Sequence, residues 1–557
     1  MRTLADRISA DSVSKAPSKA SRPPSLIRSS MVYSSFTLIS RFFGFFRDLA
    51  VTYYMGASAS IAADAFNTAF AFPNLFRRIF AEGAFAAAFV PAYSKSLEQD
   101  GEEVADVLAA DAMAVLAAAT LAITIIAELT MPWLMLIMRP GFAAVPGKMH
   151  LAVILTQITM PYLPCMAIYA HLSGVLNARN RFILSGAAPI LLNLWTLAVV
   201  LPAHNAVQAA ELASWGIVAA GISQAALLWW GVNKSGAKVT IRWPRMTPQI
   251  KALIMLAIPG ALAASATQIN IFVSQFLASS VNGAASWLAV ADRLYQLPLG
   301  LVGVAVGVAL LPQLSRAVHA KDRGVAQVAM DQAMVFSMAL TLPAAAAMVS
   351  IPSFLIDALY TRGEFLAVDA RETAAALLQY GWGVPAFVLQ QLMARAFFAR
   401  QDTRTPMIYS LVSVAANIVF GIALFRLLGV GGIAAATSLA SWLNVIMMAT
   451  TLARRDHYRP SALAFSRMAR SLAASAIMGG LLALAVHFRT PLEAALGWAH
   501  LGKIGPKEVL VVLVSLSAAA AYPFLLFATG GITPAEVRAA LRRKPADGPS
   551  EGHADLP

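Results

Sequence analysis

The chain has 557 residues, of which 59% are hydrophobic and 13% are charged, and its mean hydropathy is +0.67. Soluble domains are about half apolar and a quarter charged, so this composition excludes a soluble globular protein and indicates a polytopic membrane protein. The net charge of +14 does not by itself indicate nucleic acid, because cytoplasmic loops of membrane proteins are rich in basic residues.

The two ends of the chain read as polar segments without a fold of their own. Residues 1–30 are rich in Ser, Pro and basic residues and lack the apolar stretch of a signal peptide. We predict a disordered, basic cytoplasmic arm over 1–30. A cytoplasmic tail is predicted over 533–557, with a short basic helix at 537–544.

Apolar stretches of about 20 residues recur between these ends, long enough at about 1.5 Å per residue to cross a hydrocarbon core of about 30 Å. The predicted fold is all-α, with about fourteen transmembrane helices. With the N-terminus inside, cytoplasmic segments hold about 30 Lys and Arg and external loops about 8, which favours this orientation. The predicted spans are 31–53, 61–76, 106–137, 150–174, 183–202, 213–232, 250–279, 285–311, 329–350, 373–397, 407–427, 431–452, 468–487 and 508–528.

Two short sequence matches indicate an internal repeat. AFVPAYSK at 88–95 matches ALLPQLSR at 309–316, and LNAR at 176–179 matches FFAR at 397–400, both at an offset of 221 residues. The offset equals six predicted spans, an even number, so the repeats are parallel. We predict two six-helix lobes, 31–232 and 250–452, and a separate C-terminal pair of helices over 468–528.

Charged residues inside the first span lie on one helical face. Arg41, Gly44 and Asp48 are spaced i, i+3 and i+7, and Arg47 lies about 100° round the helix from Asp48. Charges within spans are expensive in lipid and normally face a bundle interior or a wet cavity. This face is therefore predicted to line a cavity.

Other spans carry polar residues with the same pattern. Asp64 and Asn67 share a face of span 2, Asn270 lies on a polar stripe of span 7, and Asp292 and Arg293 begin span 8. Interhelical salt bridges or hydrogen bonds that merely hold the bundle together are an alternative interpretation of Arg47 with Asp48, of Asp292 with Arg293, and of the span 7 stripe.

Four arginines are the candidate substrate-binding residues. Just past span 2, Arg78 can pair with Glu82 at i, i+4, whereas the spacing offers no such local partner to Arg77. Brought to one cavity, the guanidinium groups of Arg77 and its counterparts would suit a phosphate or pyrophosphate, because each offers a planar fork of donors and stays ionised. The set is Arg41, Arg47, Arg77 and Arg293.

Several kinds of site are not supported by the sequence. The eight histidines are scattered, and the lone Cys165 can form neither an intramolecular disulfide nor a zinc site by itself. There is no G-x-x-x-x-G-K-[ST] phosphate loop. We therefore predict no catalytic residues, no metal site and no cofactor.

Five segments resemble the MurJ (MviN) lipid II flippases, a family within the multidrug/oligosaccharidyl-lipid/polysaccharide exporter superfamily. The resemblance extends from about residue 30 to 530. The segments are SRFFGFFRD (40–48), ADAFNTAFAFPNLFRRIFAEGAFAAAFVP (63–91), GVLNARNRF (174–182), ADRLYQLPLGLVGVAVGVALLPQLS (291–315) and ARQDTRTP (399–406).

The resemblance implies a multi-pass protein of the bacterial inner membrane that moves undecaprenyl-pyrophosphate-linked peptidoglycan precursor to the periplasmic leaflet for cell-wall synthesis. It implies cavity arginines at 41, 47, 77 and 293, the second-helix aspartate at Asp64, and a groove for the lipid tail at the last two helices. The implied partners are lipid II, membrane lipids and other cell-wall synthesis proteins. Membrane potential, sodium or protons are the candidate driving forces.

Two features depart from what the resemblance implies. Gln296 stands where the family often has an acidic residue, which weakens any proton-carrying role for that position. The sodium site of some members, on helices 7, 11 and 12, needs oxygen ligands, for which Asn270 and Asn417 are candidates without a complete set.

Two rival functions are weighed against lipid II transport. An exporter of another polyprenyl-linked glycan, or a drug antiporter, would share the architecture, but an antiporter is expected to line its cavity with carboxylates and aromatics. A membrane enzyme acting on lipid-linked sugars would need a carboxylate or histidine centre in a large loop, and the loops here are short.

Overall fold

The computed structural model describes residues 26–77, 85–320, 322–498 and 505–532, and within these ranges the regular structure is entirely helical. The predicted all-α class is confirmed. Nine helices form the first part of the chain: α1 (Leu26–Met55), α2 (Ala62–Arg77), α3 (Phe85–Gln99), α4 (Glu102–Met138), α5 (Lys148–Thr159), α6 (Tyr162–Ala178), α7 (Phe182–Ala187), α8 (Pro189–Val200) and α9 (Ala206–Lys234).

Eight helices form the second part, and three more end the described chain. The eight are α10 (Pro248–Ala278), α11 (Ala284–His319), α12 (Arg323–Ser350), α13 (Pro352–Tyr360), α14 (Ala367–Gly381), α15 (Val384–Phe398), α16 (Arg404–Leu428) and α17 (Val430–Arg454). The last three are α18 (Ala462–His487), α19 (Arg489–Ala495) and α20 (Pro506–Ala528).

Each of the fourteen predicted spans coincides with one of these helices or with a pair of consecutive ones. Within the described residues, nine stretches are long and apolar enough to cross a membrane, with α5 and α6 counted as one stretch and α7 and α8 as another. The exact number of crossings stays a prediction, as do the domain boundaries. Helix α1 begins at Leu26, inside the arm predicted as disordered, while residues 1–25 and the tail 533–557 lie outside the described residues.

Three predicted spans are broken helices, and at two of the breaks side chains of other helices donate to the backbone carbonyls. Between α14 and α15, the Ser438 hydroxyl donates to the Gln379 carbonyl at 2.7 Å, and the Trp442 indole donates to the Trp382 carbonyl at 3.1 Å. A Cβ at Gly383 would lie 2.1 Å from Ser438 Oγ, so only glycine allows this approach. Carbonyls freed by a break must be satisfied inside a membrane protein, and α17 supplies the donors here.

In each lobe an aspartate side chain accepts a backbone hydrogen bond from the segment that follows the last helix of that lobe. In the first lobe Asp106 of α4 accepts from the Tyr93 hydroxyl at 3.1 Å and from the backbone N–H of Lys238 at 2.6 Å. In the second lobe Asp331 of α12 accepts from the Tyr458 hydroxyl at 2.8 Å and from the backbone of the following segment. The two tyrosines come from different places, α3 and the segment after α17, so the parallel repeat stays a prediction.

Helix α1 packs against both lobes. Phe45 and Leu49 of α1 belong to a core built mainly from α11, α13, α14 and α17, whereas α7 and α8 of the first lobe flank the same helix. The C-terminal helices α18 and α20 pack together on α12 and α13. A cavity between the lobes is consequently walled by α1 on one side and by α11 on the other.

Candidate functional site: a cationic cavity between two lobes

A cavity of about 390 Å³ lies between the lobes. Helices α1, α2, α6, α8 and α9 contribute most of its described lining, and α11 contributes the opposite wall. Among its lining residues are Arg41, Gly44, Arg47 and Asp48, which places the polar face of α1 toward the cavity.

Asp48 holds two arginines, one from each lobe. Oδ1 of Asp48 lies 2.6 Å from Nη2 of Arg47 and 3.0 Å from Nε of the same residue. Oδ2 lies 3.0 Å from Nε of Arg293 on α11. Two guanidinium groups thus share one carboxylate, so the triad keeps a net positive charge and unused N–H donors beside the cavity.

Arg41 reaches across the cavity to α11. Its Nη1 donates to the backbone carbonyl of Gln296 at 3.3 Å. A Cβ at Gly300 would lie 1.8 Å from the same nitrogen, so this close approach requires glycine. Arg41 therefore joins the two lobes at the end of the cavity opposite the buried contacts described next.

A smaller compartment of about 60 Å³ continues inward from the triad. Arg47, Asp48 and Arg293 line both spaces, and the inner one adds Asn67 of α2 and Tyr360 of α13. The Tyr360 side chain is 1% exposed, and its hydroxyl has no hydrogen-bond partner in the protein. The volume is enough for water, which would satisfy this hydroxyl.

Beyond the inner compartment, Asp64 of α2 fastens the lobes together. Its side chain is 0% exposed, and it accepts from the Lys148 ammonium at 2.6 Å and from the Ser286 hydroxyl of α11 at 2.7 Å. Lys148 also donates to the Asn282 side chain at 2.8 Å. We call Asp64, Lys148, Asn282 and Ser286 the Asp64 latch.

The latch changes the interpretation of Asp64. We predicted a cavity-lining or coupling residue; its carboxylate is buried and lines neither of the two spaces described above, and a coupling role stays a prediction. The backbone N–H groups of Gly283 and Ser286 also point at it, at 2.8 and 2.9 Å. Asn67 connects the latch to the inner compartment, because its amide donates to the Ser286 hydroxyl at 3.0 Å.

A second buried carboxylate, Asp369 at the start of α14, makes a parallel set of contacts. Its Oδ1 accepts from the backbone N–H of Ser58 at 3.1 Å and from the Trp287 indole at 2.9 Å. Backbone contacts continue this seam, where the N–H of Glu364 donates to the Tyr53 carbonyl at 3.0 Å. Both lobes therefore meet at this end through two buried carboxylates, Asp64 and Asp369, that each accept several hydrogen bonds.

Of the remaining predicted residues, Asp292 and Asn270 each accept a hydrogen bond from an amide side chain. Asp292 accepts a hydrogen bond from the Gln296 side chain, one turn along α11, and Asn270 accepts one from the Asn417 side chain of α16. The side chain of Arg77 lies outside the described residues, as do Arg78 and Glu82. The structure therefore brings Arg41, Arg47 and Arg293 to one cavity but leaves the fourth arginine of the predicted set untested.

Sequence reasoning missed Lys148, Asp369 and Tyr360. Lys148 and Asp369 stand near helix starts outside the predicted spans, where charged residues are ordinary, and Tyr360 lies in a segment we treated as a loop. Lys148 lies 84 residues from its partner Asp64, and Asp369 lies 311 and 82 residues from its partners Ser58 and Trp287. No local spacing in a single sequence signals contacts of that range.

The residues near Asn270 do not fit a carboxylate-bearing sodium site. Helices α10, α16 and α17 contain no Asp or Glu along their whole length. Asn270 Oδ1 accepts from the Asn417 amide, whereas Asn417 Oδ1 is buried without a partner in the protein, and a buried cation without a compensating charge is costly. No step of the transport cycle is therefore assigned to sodium at these residues.

Comparison with known proteins establishes the family. The family model described as "Lipid II flippase MurJ" matches residues 51–494. The chain belongs to the MurJ family. A probable lipid II flippase MurJ of Rhizobium meliloti (strain 1021) is 38% identical over 93% of this chain and 97% of that protein. Its counterpart in Rhizobium tropici is 39% identical, with the same coverage of both chains.

Solved structures agree at the level of the fold. A MurJ lipid II flippase in an inward closed conformation superposes with a TM-score of 0.72, at 23% identity, over 89% of this chain and 99% of that one. An inward-facing multidrug transporter of the MATE family gives a TM-score of 0.64 at 14% identity, over 76% and 98%. The MurJ-family chain described here thus has the architecture of this exporter superfamily, as its sequence indicates.

Proposed function

We propose that this chain carries lipid II, an undecaprenyl-pyrophosphate-linked peptidoglycan precursor, from the cytoplasmic to the periplasmic leaflet of the inner membrane. Membership in the MurJ family supports the cargo. One structural observation supports the site: Arg47 and Arg293, from opposite lobes, share the single carboxylate of Asp48 beside a cavity of about 390 Å³.

The pyrophosphate binds where the guanidinium groups have spare donors. Arg41, Arg47 and Arg293 all line the cavity, and an anion with several oxygens can accept bidentate bonds from each. When no substrate is bound, Asp48 accepts from some of the N–H donors of Arg47 and Arg293. The pyrophosphate therefore competes with Asp48 for Arg293, and its arrival loosens the ion pair that joins the lobes.

Alternating access follows from contacts at the two ends of the cavity. With both termini cytoplasmic, as the distribution of basic residues favours, the Asp64 latch lies at the periplasmic end and Arg41 lies toward the cytoplasm. The lobes rock about the bound head group, so that the latch opens after the cytoplasmic side has closed. No covalent step is needed, and the chain acts as a transporter without catalytic residues.

The lipid tail stays in the membrane beside α18 and α20. These helices pack on α12 and α13 and carry exposed apolar side chains such as Leu481, Leu516 and Phe524. Proteins that make and consume lipid II are the proposed partners, because the substrate enters and leaves within the bilayer.

Membrane potential is the proposed driving force. A charge that crosses the full membrane field contributes about 2.3 kcal/mol per 100 mV. The cycle moves the pyrophosphate and the arginines that bind it from exposure to the cytoplasm to exposure to the periplasm. Vesicles with an imposed potassium diffusion potential in sodium-free buffer test this idea. Transport should follow the potential, and a strict need for sodium would contradict it.

Depletion and rescue test the function directly. Cells that lack their own flippase are supplied with this chain, and exposure of lipid II to an external probe is measured. The unmodified chain should restore exposure, and a well-expressed chain that fails to do so would overturn the cargo assignment.

Variants of Arg41 test the site in the same assay. Arg41→Ala should fail and Arg41→Lys should rescue poorly, because an ammonium offers no planar fork. Arg245→Ala, in the exposed segment between the lobes, is the matched control and should rescue fully. Full activity of both Arg41 variants would remove Arg41 from the mechanism.

A further inference from the structure

The segment that joins the two lobes is fastened to the start of α4. We call residues 238–247, which have no helical structure, the interlobe linker. The backbone N–H of Lys238 donates to Asp106 at 2.6 Å, and Nη1 of Arg242 lies 3.7 Å from Oδ1 of Asp111. Val239, between these two contacts, is 3% exposed. The first half of the linker therefore has a fixed course along α4.

Large apolar side chains stand out from this fixed segment. Trp243 is 86% exposed and Ile241 is 82% exposed, although they are the immediate neighbours of Arg242, which reaches toward α4. Met246 is also exposed. A cluster of exposed apolar side chains on a fixed backbone marks a surface that another apolar phase or partner covers.

Helix α4 gives the level of this cluster in the membrane. Trp133 is exposed near the end of α4, and tryptophan is enriched where the hydrocarbon meets the head groups. Asp111 precedes Trp133 by 22 residues, and this helix length of about 33 Å is close to the hydrocarbon thickness of about 30 Å. If Trp133 marks one interface, Asp111 and its partner Arg242 lie at the other.

The helices on both sides of the linker place the interface at the same level. Near the end of α9, the Lys234 ammonium lies 4.9 Å from the ring centroid of the exposed Trp230, an arrangement typical of a helix leaving the hydrocarbon. On α10 the exposed Lys251 is followed one turn later by the exposed apolar side chains of Met255 and Leu256. The linker is therefore flanked by two helices that enter the membrane beside it.

The charge of the linker and its flanks is of one sign. Residues 234–251 include five basic side chains and no Asp or Glu, and Asp111 offsets only one of the five charges. The cytoplasmic leaflet carries anionic lipids and attracts basic segments that lie close to it. The basic residues are Lys234, Lys238, Arg242, Arg245 and Lys251.

We infer that the interlobe linker binds the cytoplasmic leaflet, with Trp243 and Ile241 in the head-group region and the basic side chains on anionic phospholipids. The covalent connection between the lobes is thereby held at the membrane surface while the lobes move. This surface is separate from the cavity and does not depend on which cargo the chain carries. One of the five charges can be lost without losing the contact, because the others and the apolar side chains remain.

A fluorescent label and two quencher lipids test this inference on the full chain in nanodiscs. Cys165→Ser removes the lone cysteine, and Met246→Cys carries the label. The discs contain phosphatidylcholine with a small, equal share of either phosphatidylcholine or phosphatidylglycerol that bears a nitroxide near the top of its acyl chain. Both lipids should quench the label, phosphatidylglycerol more strongly, and added salt should reduce the difference between them.

A second label position controls for the depth. Glu103→Cys lies on the same helix as Asp111, exposed and eight residues closer to the cytoplasmic end, or about 12 Å further from the hydrocarbon. Its label should be quenched weakly by both lipids.

Variants separate the charges from the apolar side chains. Lys238→Gln with Arg245→Gln should lower the preference for phosphatidylglycerol about fivefold for each charge removed, and the contacts of the linker with α4 stay in place. Trp243→Ser should weaken quenching by both lipids. Arg323→Gln with Arg371→Gln removes two exposed charges elsewhere in the chain and should change neither result.

Two outcomes would overturn the inference. A Met246→Cys label quenched no more than the Glu103→Cys label would place the linker in water. Equal quenching by both lipids at low salt would show that the basic side chains do not recruit anionic phospholipid. Neither result bears on lipid II transport, which the depletion and rescue assay tests separately.

Discussion

Arg293 of the second lobe and Asp48 of the first are joined across the cavity, with Nε of Arg293 3.0 Å from Oδ2 of Asp48. The other oxygen of Asp48 is held by its own neighbour, Arg47, at 2.6 Å. The contact between lobes therefore uses one oxygen of a carboxylate that keeps a second partner when the lobes part. Such an ion pair can open during a cycle without leaving Asp48 unpaired.

Replacing Arg293 should damage transport far more than stability. The Arg293 side chain is 42% exposed, so the pair with Asp48 is worth at most about 1 kcal/mol to folding. A charged hydrogen bond to pyrophosphate is worth about 1.5–3 kcal/mol. We expect Arg293→Gln to lower lipid II transport in vesicles about 10- to 150-fold.

The control for Arg293 is another exposed arginine in the second lobe. Arg371→Gln breaks an exposed contact with Glu372 on α14 and should leave transport unchanged. Equal transport by Arg293→Gln and Arg371→Gln would show that the triad does not bind substrate.

Removing Lys148 from the Asp64 latch should strongly destabilise the protein. Both side chains of the pair are almost fully buried, and loss of one partner from a buried ion pair costs about 3–5 kcal/mol. We expect Lys148→Met to unfold at clearly lower denaturant concentration than the unmodified chain. Lys251→Met, at an exposed position on α10, is the control and should unfold as the unmodified chain does.

A double variant shows whether charge is the cause. Adding Asp64→Asn to Lys148→Met removes the uncompensated carboxylate and should recover a large part of the lost stability. If the double variant is as unstable as the sum of the two single variants, the loss comes from packing and not from the ion pair.

The sequence predicts the cavity-facing side of α1 but not how its charges are shared. The spacing of Arg41, Gly44 and Asp48 already places them on one face, since helical periodicity is local. The partners of Asp48 and Asp64 on α11 depend on how the two lobes dock. These partners are more than 200 residues away along the chain, and the sequence around one residue does not indicate such a distant contact. The helix breaks were missed for a related reason, because their donors, such as Gln224 and Ser438, come from another helix.

The ion pairs of Asp357 should connect the C-terminal helices to the latch end of the cavity. Asp357 of α13 lies 2.5 Å from Nη2 of Arg489, and the Lys507 ammonium donates to the Thr361 carbonyl at 2.9 Å. Three residues further on, Glu364 meets the first lobe at Tyr53. We expect Asp357→Asn to loosen this seam and to make the latch end open more often.

Cysteine labelling measures that opening. In a Cys165→Ser background, Ala57→Cys places a thiol at a position that is fully buried beside the seam. Its reaction with an external maleimide should be faster in Asp357→Asn than in the parent chain. Asp402→Asn breaks a comparable pair with Arg455 elsewhere in the second lobe and should not alter the rate. Equal labelling in both variants would contradict a link through α13.

The loop after α17 should make stability depend on pH through His457. Burial, followed by the nearby positive charges of Arg400, Arg455 and Arg323, lowers the pKa of His457 below its ordinary value of 6.5, with Asp402 opposing them. The unfolded chain therefore takes up the proton first as pH falls, so stability is full above pH 6.5 and declines as pH drops toward the folded pKa. We expect the thermal midpoint of the purified protein to fall between pH 7.5 and about 5.5, and the fall to be smaller in His457→Asn. The same pH dependence in both proteins would assign it to other groups.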